Sequence, residues 1–170
     1  MANTNVFRGS DATLTLATNT TSATEGAEAT EIIDFYQLSP VGRATNVEVY
    51  VQTDLQAYHE IGKRHPVQLR PGNINISGKI ERAYINGALL RLLLGNGAET
   101  ERVAEPYPQP AFNIMLRVED PASPGTTSTL TIHGAKMENW SYALPEDDFV
   151  MEAVTFKGLF ISVEDAVAGG

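Results

Sequence analysis

The chain has no cysteine, few basic residues and no apolar run of membrane-spanning length, and each absence removes a class of function. Without cysteine, neither a disulfide framework nor a thiolate metal site can form. Lys and Arg number 12 against 21 Asp and Glu, a formal net charge of −9. That balance argues against wrapping tightly around nucleic acid, whose phosphates demand basic side chains. It leaves room for a weak, repelling contact. The apolar run Ala88 to Leu94 is short and broken by Arg91, so no membrane partner is expected. Met1 to Ser10 lacks the apolar core of a signal peptide. Thr18 to Thr30 has no large apolar residue and is expected to be a mobile loop.

What is present is mostly alternation. Over Asn73 to Arg82, Ile74, Ile76, Gly78 and Ile80 share one face while Asn73, Asn75, Ser77, Lys79 and Glu81 share the other, the pattern of a half-buried strand. The period then changes. Ile85, Ala88, Leu89, Leu92 and Leu93 follow helical spacing, and Gly95 and Gly97 close it, which predicts one helix over about residues 83–94. Further strands are read at Asp11 to Ala17, weakly at Glu31 to Leu38, at Thr45 to Gln52 and at Phe112 to Val118. Thr127 to His133, Gly134 to Leu144 and Phe149 to Val163 complete the set. In the last, the apolar parity switches at Lys157-Gly158, which predicts a bulge or bend able to serve two sheets. Asn96 to Pro110 carries three prolines and reads as an extended crossing. Thr53 to Pro66 reads as a long irregular loop, and Pro40 and Gly42 as a turn.

Together these predict a mainly β fold of seven or eight strands, a β-sandwich or partly open β-barrel with one flanking α-helix. No repeat or compositional break divides the 170 residues. A single domain spanning 1–170 is expected, with a flexible N-terminal arm (Met1 to Ser10) and a short C-terminal tail (Glu164 to Gly170). Long strands with free edges need covering or pairing with another copy.

The order of these pieces resembles the bacteriophage major tail tube proteins. The resemblance is carried by His59-Glu60-Ile61-Gly62, His65-Pro66-Val67-Gln68-Leu69, Arg70-Pro71-Gly72, Ile76 to Arg82 and the helix from Ala83 to Leu94. Phe7 to Ala12, Gly134 to Tyr142 and Glu152 to Val163 resemble the family's flanks, so nearly the whole chain is covered. Each motif alone is a Gly turn or an alternating strand; their order carries the likeness. The family implies a structural virion protein with no enzymatic activity and no cofactor. Its subunits form stacked hexameric rings whose sheets join edge to edge into the conduit for genome delivery. Implied partners are further copies of the chain, a tape-measure protein in the lumen, DNA in transit, and sheath, baseplate or terminator proteins. The implied location is the phage tail, assembled in the bacterial host cytoplasm. A negative wall would repel DNA phosphates, and Glu48 and Glu81, on the polar faces of their strands, are the lumen-facing candidates. Tyr58, Ile61, Lys63 and Arg64 are the inter-ring contact candidates, Tyr58 and Ile61 as anchors and the two basic residues toward acidic partners.

Other readings stay open on the residues alone. A monomeric or trimeric β-sandwich binding or adhesion module would use Tyr107, Trp140 and Tyr142 as a platform. A tail-terminator or secretion-tube subunit would share the sheet-and-helix plan. Enzymatic patterns are weak. His59, His65 and His133 lack strict ligand spacing, Glu146, Asp147 and Asp148 read as a solvated turn, and no serine has a recognisable histidine partner. Gly95-Asn96-Gly97 follows a helix instead of opening one, so it is no phosphate loop.

Overall fold

The structure, a computed structural model, describes residues 6–18, 23–36, 42 and 44–169. Among these the alternating segments become β1 (Ala12–Thr18), β2 (Ala44–Tyr58), β3 (Gln68–Ala83), β4 (Phe112–Glu119), β5 (Thr127–Ala143), β6 (Met151–Gly158) and β7 (Phe160–Ala166). Two helices accompany them, α1 (Ala23–Tyr36) and α2 (Ala88–Leu94). All strands belong to one antiparallel sheet of order β1-β4-β5-β6-β3-β2, with β7 paired to β5. The sheet curls into a half-barrel, so the partly open barrel describes it better than two separate sandwiched sheets.

The curl is made by β5 and by the β6–β7 bend. The first half of β5 lies between β4 and β7; its second half pairs with β6. Gly134 sits at the joint with φ +65°, a backbone region that favours glycine. The two strands predicted at Thr127 to His133 and Gly134 to Leu144 are therefore one kinked strand. Opposite this joint, β6 ends at Gly158 and β7 begins at Phe160, with the Leu159 N–H donating to the His133 carbonyl at 2.9 Å. The expected bend at Lys157-Gly158 is where one segment passes from one half of the sheet to the other. Beyond it β7 pairs through Ala166, so the tail expected from Glu164 begins as strand.

The core lies between the inner face of the sheet and the helices. Leu14, Leu16, Phe112, Ile114, Ile132, Ile76, Ile80, Val154 and Phe156 come from the strands; Ala29, Ile33, Ala88, Leu89 and Leu92 come from the helices. Gly78 is inside this face because Phe156 lies over it: a Cβ there would stand 2.3 Å from the Phe156 ring and 2.4 Å from the Glu48 carbonyl. The same inward parity places Arg82 and Glu152 in the core. They are cross-strand partners on β3 and β6, joined Nε to Oε1 at 2.5 Å. Trp140 Nε1 donates to Glu152 Oε2 at 2.8 Å, and Arg82 reaches Asn86 Oδ1 at 3.3 Å. Asn86 Oδ1 also accepts from the Ala88 N–H at 3.1 Å, which ties the start of α2 to the buried pair. The helix starts at Ala88 and not near residue 83 because β3 is still paired to β6 through Ala83.

Two expectations are corrected. The segment read as a mobile loop followed by a weak strand contains α1. Its buried face is Gly26, Ala29 and Ile33, at helical spacing but with small side chains in the first two positions. Glu25 anchors that helix through an ion pair to Lys136 at 3.0 Å, and its carbonyl accepts from the Ala111 N–H. The long loop read at Thr53 to Pro66 begins as strand, since β2 continues to Tyr58, and only 59–66 form the turn at its end. Met1 to Asn5 of the N-terminal arm, part of Thr18 to Thr30, Pro40 of the turn and Gly170 lie outside the described residues. Asn96 to Pro110 contains no strand, only the turn Gly95–Ala98 at its start.

Candidate assembly surfaces

The sheet's second half is a four-stranded unit, β5-β6-β3-β2, with β2 and the C-terminal part of β5 at its edges. Beyond the Ile76↔Gly158 pair, β6 turns away while β2 and β3 go on pairing to Tyr58↔Gln68. From Gln68 to Asn75, β3 pairs with β2 alone among the described residues. At the rise of a strand this two-stranded arm projects roughly 25 Å. The Val67 N–H donates to the Tyr58 carbonyl at 2.9 Å and the Lys63 N–H to the Glu60 carbonyl at 3.1 Å, and Gly62 (φ +85°) completes the tip. Register irregularities beside Asp54 and Gly72 twist the arm.

Every residue from Tyr50 to Asn75 is exposed. Val51 and Ile74 continue the core-facing parity of β2 and β3 past the point where there is a core, and Leu55 and Leu69 follow them. A lone two-stranded ribbon is marginal in water, and this one leaves Val51, Leu55, Leu69 and Ile74 exposed. Tyr58 ends β2, Ile61 is fully exposed in the tip, and Lys63 and Arg64 follow it into solvent. All four inter-ring candidates therefore sit together at the end of the arm. His59 and His65 share that tip, whereas His133 is on β5, bonded to Ser162 Oγ at 2.9 Å and stacked on Phe160.

The face of the four-stranded unit away from the helices is polar. The Asn46↔Glu81 and Glu48↔Lys79 register pairs bring the two predicted glutamates side by side. Asn46 Nδ2 donates to both, at 3.4 Å to Glu48 and 3.3 Å to Glu81, and the Tyr50 hydroxyl donates to Glu48 at 2.8 Å. Lys79 pairs with Glu81 at 2.7 Å. Its hydrogen bond, then that of Asn46, holds the Glu81 carboxyl below the usual carboxylate range, and Glu81 in turn raises the Lys79 ammonium. The bond to Glu48 raises the Tyr50 phenol. Lys157, further along the face, pairs with Glu138 at 3.2 Å. Each lysine is thus matched by a glutamate, and Glu48 is left as the surplus negative charge.

The aromatics of the binding-module reading do not converge. Trp140 is turned inward onto Glu152 and touches Tyr142 (centroids 4.8 Å), but Tyr107 packs its hydroxyl against Gly97. Sequence reading missed the Arg82–Glu152 pair and the Tyr84–Tyr142 stack (5.4 Å). The signal for the first was available, since both charges fall on the apolar parity of their strands.

No family model matches the chain, and no curated protein matches it. Solved structures do. A chain of the sheath-tube complex of the extracellular contractile injection system PVC, in its extended state, aligns over 95% of this chain and 93% of its own at 9% identity, TM-score 0.61. The SPP1 tail tube aligns over 95% and 81% at 9% identity, TM-score 0.57. The chain has the tail-tube fold. The same fold occurs in the cap that terminates the tube of the anti-feeding prophage, which aligns over 98% of this chain and 95% of its own at 10% identity, TM-score 0.62. Tail-tube architecture thus persists where sequence likeness has faded to about a tenth of positions.

Proposed function

We propose that the chain is the subunit of a phage or phage-like tail tube, a structural protein without catalytic activity. The observation that carries this reading is the arm: a hairpin exposed on every residue, apolar on one side, and useful only when another molecule covers it. In the assembled form, six copies close into a ring by pairing β2 of one four-stranded unit with the free edge of β5 on the next. Closure removes both edges of that unit. The helices stay outside and the face bearing Glu48 and Glu81 lines the lumen. Rings stack through Tyr58, Ile61, Lys63 and Arg64. The conduit holds the tape-measure protein, passes DNA without binding it, and meets sheath, baseplate or terminator proteins at its outer surface and ends. It is assembled in the host cytoplasm and resides in the virion.

The test is sedimentation of two forms of the protein. In one, residues 54–73 are replaced by Asn-Gly, a two-residue turn suited to joining the paired positions Thr53 and Ile74. The natural chain is expected to sediment as rings and longer stacks, and the shortened chain to stop at single rings. Stacks formed equally well without the arm would contradict the reading. A natural chain that itself stops at one ring favours the terminating role, whose fold is the same.

A further inference from the structure

The chain contains two Asn-Gly steps, Asn86-Gly87 and Asn96-Gly97, one on each side of α2. An asparagine amide is most easily lost before glycine, which has no side chain to shield its backbone nitrogen and lets the backbone bring that nitrogen onto the asparagine Cγ. The two steps are held very differently. Asn86 is half-buried, and its Oδ1 accepts from Arg82 Nη2 at 3.3 Å and from the Ala88 N–H at 3.1 Å. Its side chain cannot swing onto the Gly87 nitrogen without giving up both bonds. Asn96 and Gly97 are exposed, in the single turn that follows α2. Asn96 is held by its backbone, the N–H donating to Glu28 Oε1 at 2.9 Å and the carbonyl accepting from the Glu99 N–H at 3.3 Å. Its side-chain amide makes no hydrogen bond among the described residues. Packing keeps glycine at the next position, since a Cβ on Gly97 would stand 2.5 Å from the Tyr107 hydroxyl.

We infer that Asn96 is a site of spontaneous covalent modification, deamidating in the folded protein while Asn86 is protected. A solvent base takes the Gly97 N–H proton, and the nitrogen attacks Asn96 Cγ. The N–Cγ bond forms, the Cγ–Nδ2 bond breaks, and ammonia leaves with a proton returned by the solvent. Water then opens the cyclic imide at either carbonyl. One opening gives aspartate; the other reroutes the chain through the side chain and gives isoaspartate. No oxidant or reductant takes part. The product places a carboxylate in a cleft of about 270 Å³ that Glu28, Glu31, Glu99 and Arg91 already line. Arg91 is committed to Glu99 at 2.8 Å. Desolvation raises the Glu28 carboxyl, the Asn96 N–H lowers it, and the charges of Glu31 and Glu25 raise it again. A further negative charge beside Glu28 therefore weakens the contact between α1 and the end of α2 at neutral pH.

Trypsin separates the two steps, because cleavage after Arg82, Arg91 and Arg102 leaves Asn86 in fragment 83–91 and Asn96 in fragment 92–102. The protein is held in mildly alkaline buffer, either folded or in urea, and the fragments are followed over time by chromatography and mass spectrometry. In the folded protein 92–102 is expected to gain the mass of the acid form and to split into aspartate and isoaspartate peaks. It should do so about tenfold or more faster than 83–91, since Asn86 must first break two hydrogen bonds. In urea the two fragments should convert at similar rates. Asn96→Gln, which keeps an amide but enlarges the ring to be closed, should leave 92–102 unchanged. Asn96→Asp should lower the urea midpoint at neutral pH, and adding Glu28→Gln to it should restore part of the loss. Equal rates in the folded protein, or faster conversion at Asn86, would overturn the inference. Conversion of both fragments in urea and of neither in the folded protein would overturn it too. An unchanged midpoint for Asn96→Asp would refute the weakened helix contact.

Discussion

Replacing Arg82 with alanine would strand the Glu152 carboxylate in the core. Both side chains are almost completely shielded, Arg82 at 2% exposure and Glu152 at 1%. After the substitution Glu152 would keep only the Trp140 indole as a donor, and Asn86 would lose its bond to the sheet. Removing one partner of a buried pair costs about 3–5 kcal/mol, because the remaining charge is left uncompensated. With a urea m-value of about 2 kcal/mol/M, the unfolding midpoint should fall by roughly 2 M. The double substitution Arg82→Met with Glu152→Leu removes both charges. Its expected cost is about 1–2 kcal/mol, mostly the unsatisfied Trp140 N–H and imperfect packing. The double variant should therefore be more stable than the single one, a coupling visible in a double-mutant cycle. Arg117–Glu119, an exposed pair at 3.5 Å, supplies the control: Arg117→Ala should cost less than about 1 kcal/mol. Urea unfolding followed by circular dichroism, at concentrations below assembly, measures all of these. A cost below about 1 kcal/mol for Arg82→Ala, or simple additivity of the two substitutions, would mean that the Glu152 charge is not stranded in the core.

Three further outcomes are expected. Gly78→Ala should destabilise by about 1–3 kcal/mol or more in the same unfolding assay, because the new methyl meets the Phe156 ring and the Glu48 carbonyl; a neutral result would mean the strands yield easily there. Glu28 accepts from the Asn96 N–H at 2.9 Å through Oε1, but its shielded Oε2 has no hydrogen bond among the described residues, and desolvation raises its carboxyl above the ordinary 4.5. A raised folded pKa means that ionisation weakens the fold as pH rises through it. Glu28→Gln should thus gain up to about 1 kcal/mol at neutral pH and lose that advantage in acid, and a less stable variant at neutral pH would contradict the assignment. Glu48→Lys with Glu81→Lys, both on the exposed polar face, should leave folding intact but make assembled tubes retain DNA at low salt and release it at high salt; no retention would remove that face from the lumen.

Where alternation carried a core, the fold was legible. The strands around Val47 to Val51, Ile76 to Ile80 and Ile114 to Val118 follow the period of two, and the parity switch at Lys157-Gly158 marks where β6 hands over to β7. Helix α1 was not legible because Gly26 and Ala29 supply its contact by being small, and a search for large apolar residues passes over them. The arm was misread for the opposite reason. Past Thr53 its register shifts, and its apolar residues face no core within the chain, so nothing enforces a clean pattern. Tyr58, Ile61, Lys63 and Arg64 could still be singled out from the sequence, because they are apolar and basic groups in a segment that no core accounts for.

The claim that this chain builds a conduit is tested most directly by negative-stain electron microscopy of the purified protein over a concentration series. Rings that stack into tubes of uniform bore are expected as concentration rises. Small globular particles at every concentration would contradict it, and would leave the exposed arm to some other partner.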